Sequence, residues 1–181
     1  MAVDSKEENV AELFFNEGTK HWHFKEIVKK AEISEDRANY WLKKLIKEGI
    51  IKHVKEKEKM PYFIASFESA EYKNKKKLYA LTKLYESGFL NYLRSLEKAE
   101  AAVIFGSFSR ADWYSDSDID VFIIGDVSFN KEKFGFLLGR EVQVHIFKNK
   151  EELKKIRSGL VKNVINGYFV KGSVQNFVEV C

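Results

Sequence analysis

Two short apolar runs joined by a polar loop place the strongest constraint on how this chain folds. The runs are residues 101–105 and 121–124, and each has the length and composition of a buried strand. The loop opens with Gly106, and Asp118 and Asp120 stand two residues apart where the second run begins. Because side chains alternate along a strand, we expect the two carboxylates to point to the same side. A divalent cation between them would relieve their repulsion, so the pattern is suited to holding Mg²⁺ against a triphosphate.

The segment 105–121, which reads FGSFSRADWYSDSDIDV, resembles the core motif of the DNA polymerase beta-like nucleotidyltransferase superfamily. The likeness is strongest to the minimal nucleotidyltransferases and extends over residues 100–181. It rests on Gly-Ser, an Arg and Ser-Asp-x-Asp in register between two apolar strands. The resemblance implies transfer of a nucleoside monophosphate from a nucleoside triphosphate (NTP) to an acceptor hydroxyl. Pyrophosphate would leave, and Mg²⁺ or Mn²⁺ would be the cofactor.

The same resemblance assigns roles to individual residues. Asp118 and Asp120 would be catalytic residues that ligate the metal. Gly106 would let the phosphates approach the backbone, because glycine has no Cβ to obstruct them. Ser107 would hydrogen-bond a phosphate oxygen, and Arg110 would contact the triphosphate through its guanidinium group. The implied nucleotide-binding set is Gly106, Ser107, Arg110 and Ser117.

The sequence departs from the family pattern in two places. The loop glycine that usually follows the Arg is Ala111 here, which matters only if the position needs a positive φ. The family's third carboxylate aligns best with Gln143, a neutral residue in the alternating segment 141–147. Alternation places Glu141, Gln143 and His145 on one face. Either Glu141 replaces the missing acid as a catalytic residue, or His145 assists, or the site binds metal weakly.

The first 65 residues read as three helices followed by a hairpin. The helical patterns cover 3–16, 24–31 and 34–48, and the hairpin pairs 50–54 with 61–65. This order resembles a winged helix-turn-helix domain whose recognition helix begins at the N-cap Ser34. The apolar stripe of that helix is Ala38, Trp41, Leu42, Leu45 and Ile46. The outward face, expected to bind double-stranded DNA, presents Arg37, Tyr40, Lys43, Lys44 and Lys47. The alternatives are a merely solvated face or a domain that binds protein.

Residues 66–99 read as a helical connector between this domain and the region 100–181. The pattern predicts one long helix, or two helices broken at Ser87-Gly88. Its apolar stripes could pack on a second copy, so we expect a homodimer. In the family, minimal nucleotidyltransferases can be completed by a small helical partner protein. The expected fold class is α+β: an N-terminal winged helix, a helical connector and a C-terminal mixed-sheet nucleotidyltransferase-like domain with helices on one face.

Composition bears on the cellular setting. The formal net charge is +4, a mild positive excess. No apolar run is long enough to cross a bilayer, and the first residues lack the pattern of a signal peptide. The one cysteine, Cys181, cannot form an internal disulfide, so a cytoplasmic location is expected.

Two functional hypotheses follow from the sequence. The first is nucleotidyl transfer with Mg²⁺, by a chain that also carries a DNA- or partner-binding module. The second is a non-catalytic, DNA-binding transcriptional regulator that senses a nucleotide or a metal through a degraded site. Gln143 is the feature that keeps the second hypothesis open.

Overall fold

The computed structural model describes residues 6–154 and 158–177, and the chain divides into two compact units. The first unit comprises the chain up to Tyr79 together with Trp113–Ser115. The second comprises Ala80–Asp112 and the chain from Asp116 onward. The three-part division at residues 65/66 and 99/100 stays a prediction. Within the described ranges, no helix is long and apolar enough to span a membrane.

The first unit contains the three helices and the hairpin that the sequence predicted. They are α1 (Lys6–Asn16), α2 (Phe24–Lys30), α3 (Glu35–Lys47), β1 (Ile51–Val54) and β2 (Tyr62–Ala65). Strands β1 and β2 pair antiparallel, with Ile51 opposite Ala65. Of the first predicted helix, residues 3–5 lie outside the described ranges. The helix order and the hairpin are therefore confirmed, whereas the winged-helix assignment itself stays a prediction.

Helix α3 packs through a narrower stripe than the sequence suggested. Ala38, Leu42 and Leu45 are at most 2% exposed, whereas Ile46 is 37% exposed and Trp41 is half-buried. At 100° per residue, Ile46 lies about 70° from the centre of the buried stripe, which is too far to reach the core. The prediction that Ile46 belongs to the core is wrong. Ser34 occupies the N-cap position with extended backbone, but its side chain caps no helical N–H.

The connector forms two helices. Helix α4 spans Ala70–Glu86 and contains the boundary between the two units, and α5 spans Phe89–Ser95. The break falls at Ser87–Gly88, where Gly88 has a φ of +75°. A positive φ is readily adopted only by glycine, so the helix ends where the sequence indicated. Of the two predicted alternatives, the broken helix is correct.

The second unit is built on a four-stranded sheet. Its remaining elements are β3 (Ala99–Phe105), α6 (Gly106–Arg110), β4 (Ile119–Gly125), α7 (Lys131–Leu138), β5 (Val142–Phe147), α8 (Lys150–Leu153), α9 (Ser158–Ile165), β6 (Tyr168–Lys171) and a 3₁₀ turn (Val174–Phe177). The strand order is β5-β4-β3-β6, with β4 and β5 parallel and the other pairs antiparallel. The sheet is mixed, as predicted.

Both faces of the two central strands are buried. Successive residues from Ala101 to Ile104 are at most 1% exposed, and so are those from Val121 to Ile124. One face joins a core that includes Phe122, Val164 and Phe177. Continuous apolar runs, rather than alternating ones, are typical of strands covered on both sides. The expectation of helices on one face alone is therefore wrong, since the other face is covered too.

Candidate functional site

The candidate site begins at the turn that joins β3 to α6. Gly106 has a φ of +72°, and a Cβ built there would lie 2.1 Å from Oδ2 of Asp120. Phe105 pairs with Asp120 across the antiparallel strands, so the backbone of Gly106 faces the Asp120 carboxylate. Only glycine tolerates both this backbone conformation and this close approach. Any residue larger than glycine at position 106 would therefore clash with the Asp120 carboxylate.

The two motif aspartates lie at the start of β4. Asp120 is the second residue of β4, and Asp118 is the residue directly before the strand begins at Ile119. Burial raises the pKa of the Asp120 carboxyl, and the neighbouring Asp118 carboxylate raises it further. His145 and Arg110 act in the opposite direction on the same pKa. The charges of Asp118, His145 and Arg110 therefore all act on the Asp120 carboxyl.

Strand β5 places an amide, not an acid, beside the two aspartates. The parallel register sets Gln143 next to Asp120, and Gln143 Nε2 donates a 2.5 Å hydrogen bond to Oδ2 of Asp118. Glu141 lies just before β5, where its side chain is exposed and its carbonyl oxygen accepts the N–H of Ile119 at 2.9 Å. The described ranges contain no cluster of three or more His, Cys, Asp or Glu side chains placed to hold a metal ion. The role of Glu141 stays a prediction.

The other predicted nucleotide-binding residues lie between Gly106 and Asp118: Ser107 and Arg110 in α6, and Ser117 in the loop that follows it. Arg110 is about half exposed, and its Nε donates to Oδ2 of Asp112 at 2.9 Å. The carbonyl oxygen of Ser107 accepts the N–H of Asp112 at 3.1 Å, which closes the loop behind α6. Ala111 has a φ of +60° and is 6% exposed. The position therefore does need a positive φ, and replacement of the family glycine by alanine is a strained substitution.

Arg140 is a site residue that sequence reasoning missed. Its Nη1 donates to the carbonyl oxygen of Ser117 at 3.1 Å, and its guanidinium carbon lies 5.2 Å from the centre of the Phe108 ring. The contact fixes the backbone directly before Asp118. An arginine is also the side chain best suited to a phosphate. The local signal was slight: a basic residue after Gly139, in the turn into β5.

The chemistry of this donor set fits a divalent cation. Mg²⁺ is commonly bound through one or two carboxylates together with substrate phosphates and water, rather than by an all-protein cage. Asp118 and Asp120 supply two carboxylates at one strand end, and the absence of a Cβ at Gly106 makes room for the Asp120 carboxylate. These two aspartates would hold the ion.

The predicted DNA-contacting residues lie on α3 in the first unit. Lys44 is engaged there: its ammonium group lies 2.6 Å from Glu7 and 3.7 Å from Glu48. Lys75 pairs with Glu7 as well, at 2.8 Å. The predicted residues with exposed side chains are Arg37, Tyr40, Lys43 and Lys47. The role of all five in binding DNA stays a prediction.

A mixed sheet with Gly-Ser at the end of one strand and Asp-x-Asp at the start of its neighbour defines a protein of the nucleotidyltransferase class. The chain belongs to the nucleotidyltransferase domain family, whose family model matches residues 86–178. A protein of Methanocaldococcus jannaschii named "Putative protein adenylyltransferase" is 34% identical over 84 residues, which cover 42% of this chain and 84% of the relative. No solved structure matches significantly.

Proposed function

We propose that this protein transfers a nucleoside monophosphate from an NTP to a hydroxyl group of an acceptor. The observation that carries the proposal is the juxtaposition of Gly106, Asp118 and Asp120 at the adjoining ends of β3 and β4. A bare strand-initiating turn would need neither a left-handed glycine nor a half-buried carboxylate. Both are expected where phosphates and a cation must approach the backbone closely.

The chain's own residues would position the triphosphate. Gly106 lets the Asp120 carboxylate lie against the backbone at the end of β3, and Ser107 and Arg110 would supply donors to the phosphate oxygens from α6. A divalent cation bound by Asp118 and Asp120 would supply neutralisation of the phosphate charge. The acceptor oxygen then bonds to the α-phosphorus while the bond to the bridging oxygen breaks. Pyrophosphate departs with that electron pair, and the acceptor's proton passes to solvent.

The relative suggests the substrates. The name of the Methanocaldococcus jannaschii protein describes adenylyl transfer to protein. We therefore propose ATP as the nucleotide and a protein hydroxyl as the acceptor. The protein itself is included among the candidate acceptors.

Labelled ATP tests the transfer directly. We expect ATP radiolabelled at the α-phosphate, but not at the γ-phosphate, to label an acceptor protein in the presence of Mg²⁺ or Mn²⁺. Asp120→Asn should abolish labelling. The matched control is Asp126→Asn, because Asp126 is exposed at the opposite end of β4 and pairs only loosely with Lys148 at 3.4 Å. Labelling that survives Asp120→Asn, or that is equally lost in the control, contradicts the proposal.

We propose further that the first unit is a winged helix-turn-helix module that binds double-stranded DNA. Helices α1–α3 followed by an antiparallel hairpin support this assignment, as do the exposed basic side chains of α3. The Lys44 ion pairs with Glu7 and Glu48 leave Arg37 and Lys43 as the stronger candidates for phosphate contacts.

The salt dependence of duplex binding tests this module. The logarithm of the affinity falls as the logarithm of the salt concentration rises, and each lost phosphate contact should make this slope shallower by about one. Lys43→Glu should reduce both affinity and slope, whereas Lys29→Glu on α2, an exposed lysine of the same unit, should not. Equal effects of the two variants would leave only a non-specific charge effect and contradict a recognition role for α3.

Gln143 supports a second candidate function, that of a regulator that senses a nucleotide or a metal without turnover. The amide stands where a third acid would strengthen metal binding, and it hydrogen-bonds Asp118. Binding of ATP that depends on Asp120, with no release of pyrophosphate for any acceptor tried, would favour this function over transfer.

A further inference from the structure

Gln143 places a neutral side chain beside Asp118, so the site carries no third negative charge at this position. Its amide lies beside Asp120 in the parallel register and donates through Nε2 to Oδ2 of Asp118. A carboxylate at this position would add one negative charge next to the two aspartates. The amide adds none and occupies one lone pair of Asp118 instead.

The number of cations follows from that charge. A site with two divalent ions about 4 Å apart needs enough anionic ligands to offset the repulsion between the ions. Asp118 and Asp120 together carry two negative charges, which balance one divalent ion. No third acid groups with them in the described ranges, and Glu141 lies outside β5 with an exposed side chain.

We infer that Gln143 limits this site to a single divalent cation, bound by Asp118 and Asp120, and that an acid at position 143 would create a second cation site. The inference rests on the proposed function, because it concerns the same site. Asp118 and Asp120 would hold that ion, and it would neutralise charge on the phosphates of the NTP.

Counting Mn²⁺ ions tests the inference without any turnover. The wild-type chain is titrated with Mn²⁺ alone, and bound ions are counted by electron paramagnetic resonance and by calorimetry. We expect one Mn²⁺ per chain, lost in Asp118→Asn. Gln143→Glu should bind two ions, with the first bound about ten- to a hundredfold more tightly than in the wild type. Gln143→Asp provides a second variant with a shorter side chain.

Controls keep the outcome specific. Gln175→Glu adds the same charge to the same unit at an exposed residue outside the site, and it should still bind one ion. Because Gln143 is exposed on an edge strand, Gln143→Glu should fold, which circular dichroism checks. Two ions on the wild type, none at millimolar Mn²⁺, one on both acidic variants, or an equal gain in Gln175→Glu would each overturn the inference.

This experiment and the labelling assay fail independently. If the wild-type chain transfers AMP but binds two ions, the one-ion inference falls and the proposed function stands. If it binds one ion through Asp118 but labels no acceptor, the proposed function falls and the one-ion inference stands.

Discussion

Replacing Gly106 with alanine should cost more stability than the same change at an equally left-handed but open glycine. Both Gly106 and Gly139 have positive φ, at +72° and +62°. The Cβ of an alanine at 106 would lie 2.1 Å from Oδ2 of Asp120, whereas at 139 no heavy atom lies within 4 Å. The two substitutions therefore share the backbone penalty and differ in the clash.

The magnitudes follow from these two contributions. A left-handed alanine costs about 1–2 kcal/mol, partly offset by about 0.4–1 kcal/mol because alanine restricts the unfolded chain. Gly139→Ala should therefore lower the free energy of unfolding by roughly 1 kcal/mol. At 106 the Asp120 carboxylate must also rotate out of its preferred conformation, which costs about 0.5–1.5 kcal/mol more. We expect a loss of about 1.5–2.5 kcal/mol for Gly106→Ala.

Urea unfolding of four variants measures the backbone penalty and the clash separately. They are Gly106→Ala, Gly139→Ala, Asp120→Ala and the double variant Gly106→Ala/Asp120→Ala. The clash involves Oδ2 of Asp120 at 2.1 Å and Cγ at 3.1 Å, and Asp120→Ala removes both atoms. In that background Gly106→Ala should cost no more than Gly139→Ala does. The coupling energy between positions 106 and 120 should be about 0.5–1.5 kcal/mol. Equal losses for the two glycine variants, or a coupling energy of zero, would refute the contact between glycine and carboxylate as the organising feature of the site.

Three further predictions concern the first unit and are measured by urea unfolding. Tyr72→Phe should lower the free energy of unfolding by about 1 kcal/mol, because the buried Tyr72 hydroxyl donates to the carbonyl oxygen of Phe14 at 2.8 Å; no loss would show that this bond adds nothing. Lys76→Met should cost roughly 1.5–3 kcal/mol, since the buried ammonium group donates to the Trp113 carbonyl oxygen at 2.6 Å; a stabilised variant would contradict this. Burial alone would raise the pKa of Glu7, but hydrogen bonds from its two lysine partners outweigh it and lower that pKa below 4.5. Glu7→Gln should therefore destabilise the protein at pH 7 by up to about 1 kcal/mol, and the difference from wild type should vanish as the pH falls from 4.5 through the lowered pKa; a cost that persists in acid would point to packing instead.

The elements that the sequence predicted best are those set by local composition. The continuous apolar runs of β3 and β4 and the left-handed Gly88 that separates α4 from α5 are signals within a few residues of the feature they specify. Ile46 shows the limit of such signals. An apolar residue at the edge of a helical stripe is buried only as far as neighbouring elements cover it, and Ile46 stays 37% exposed.

The site residues inside the motif 105–121 could be predicted from the sequence, whereas a residue that reaches the site from elsewhere in the chain could not. Spacing indicated that the two aspartates point to the same side, and the resemblance to the family motif indicated Gly106. Arg140 contacts a carbonyl 23 residues earlier in the chain, so no local pattern announces it. The resemblance to the family motif raised the possibility of a positive φ at Ala111, but alanine rarely adopts one, so only the structure shows that the backbone is left-handed there.

Unfavourable local features are concentrated at this one strand junction. Three non-glycine residues have a positive φ in the part of the chain that the structure describes, and two of them, Glu32 and Glu58, lie in exposed turns. Ala111 is the buried one, and it lies in the loop between Gly106 and Asp120, whose carboxyl has a raised pKa. A strained backbone and a desolvated carboxylate both reduce stability, and the surrounding covered sheet must compensate for them. On the proposed function, this cost follows from holding the Asp120 carboxylate against the Gly106 backbone, at the strand junction where the phosphates and the cation would bind.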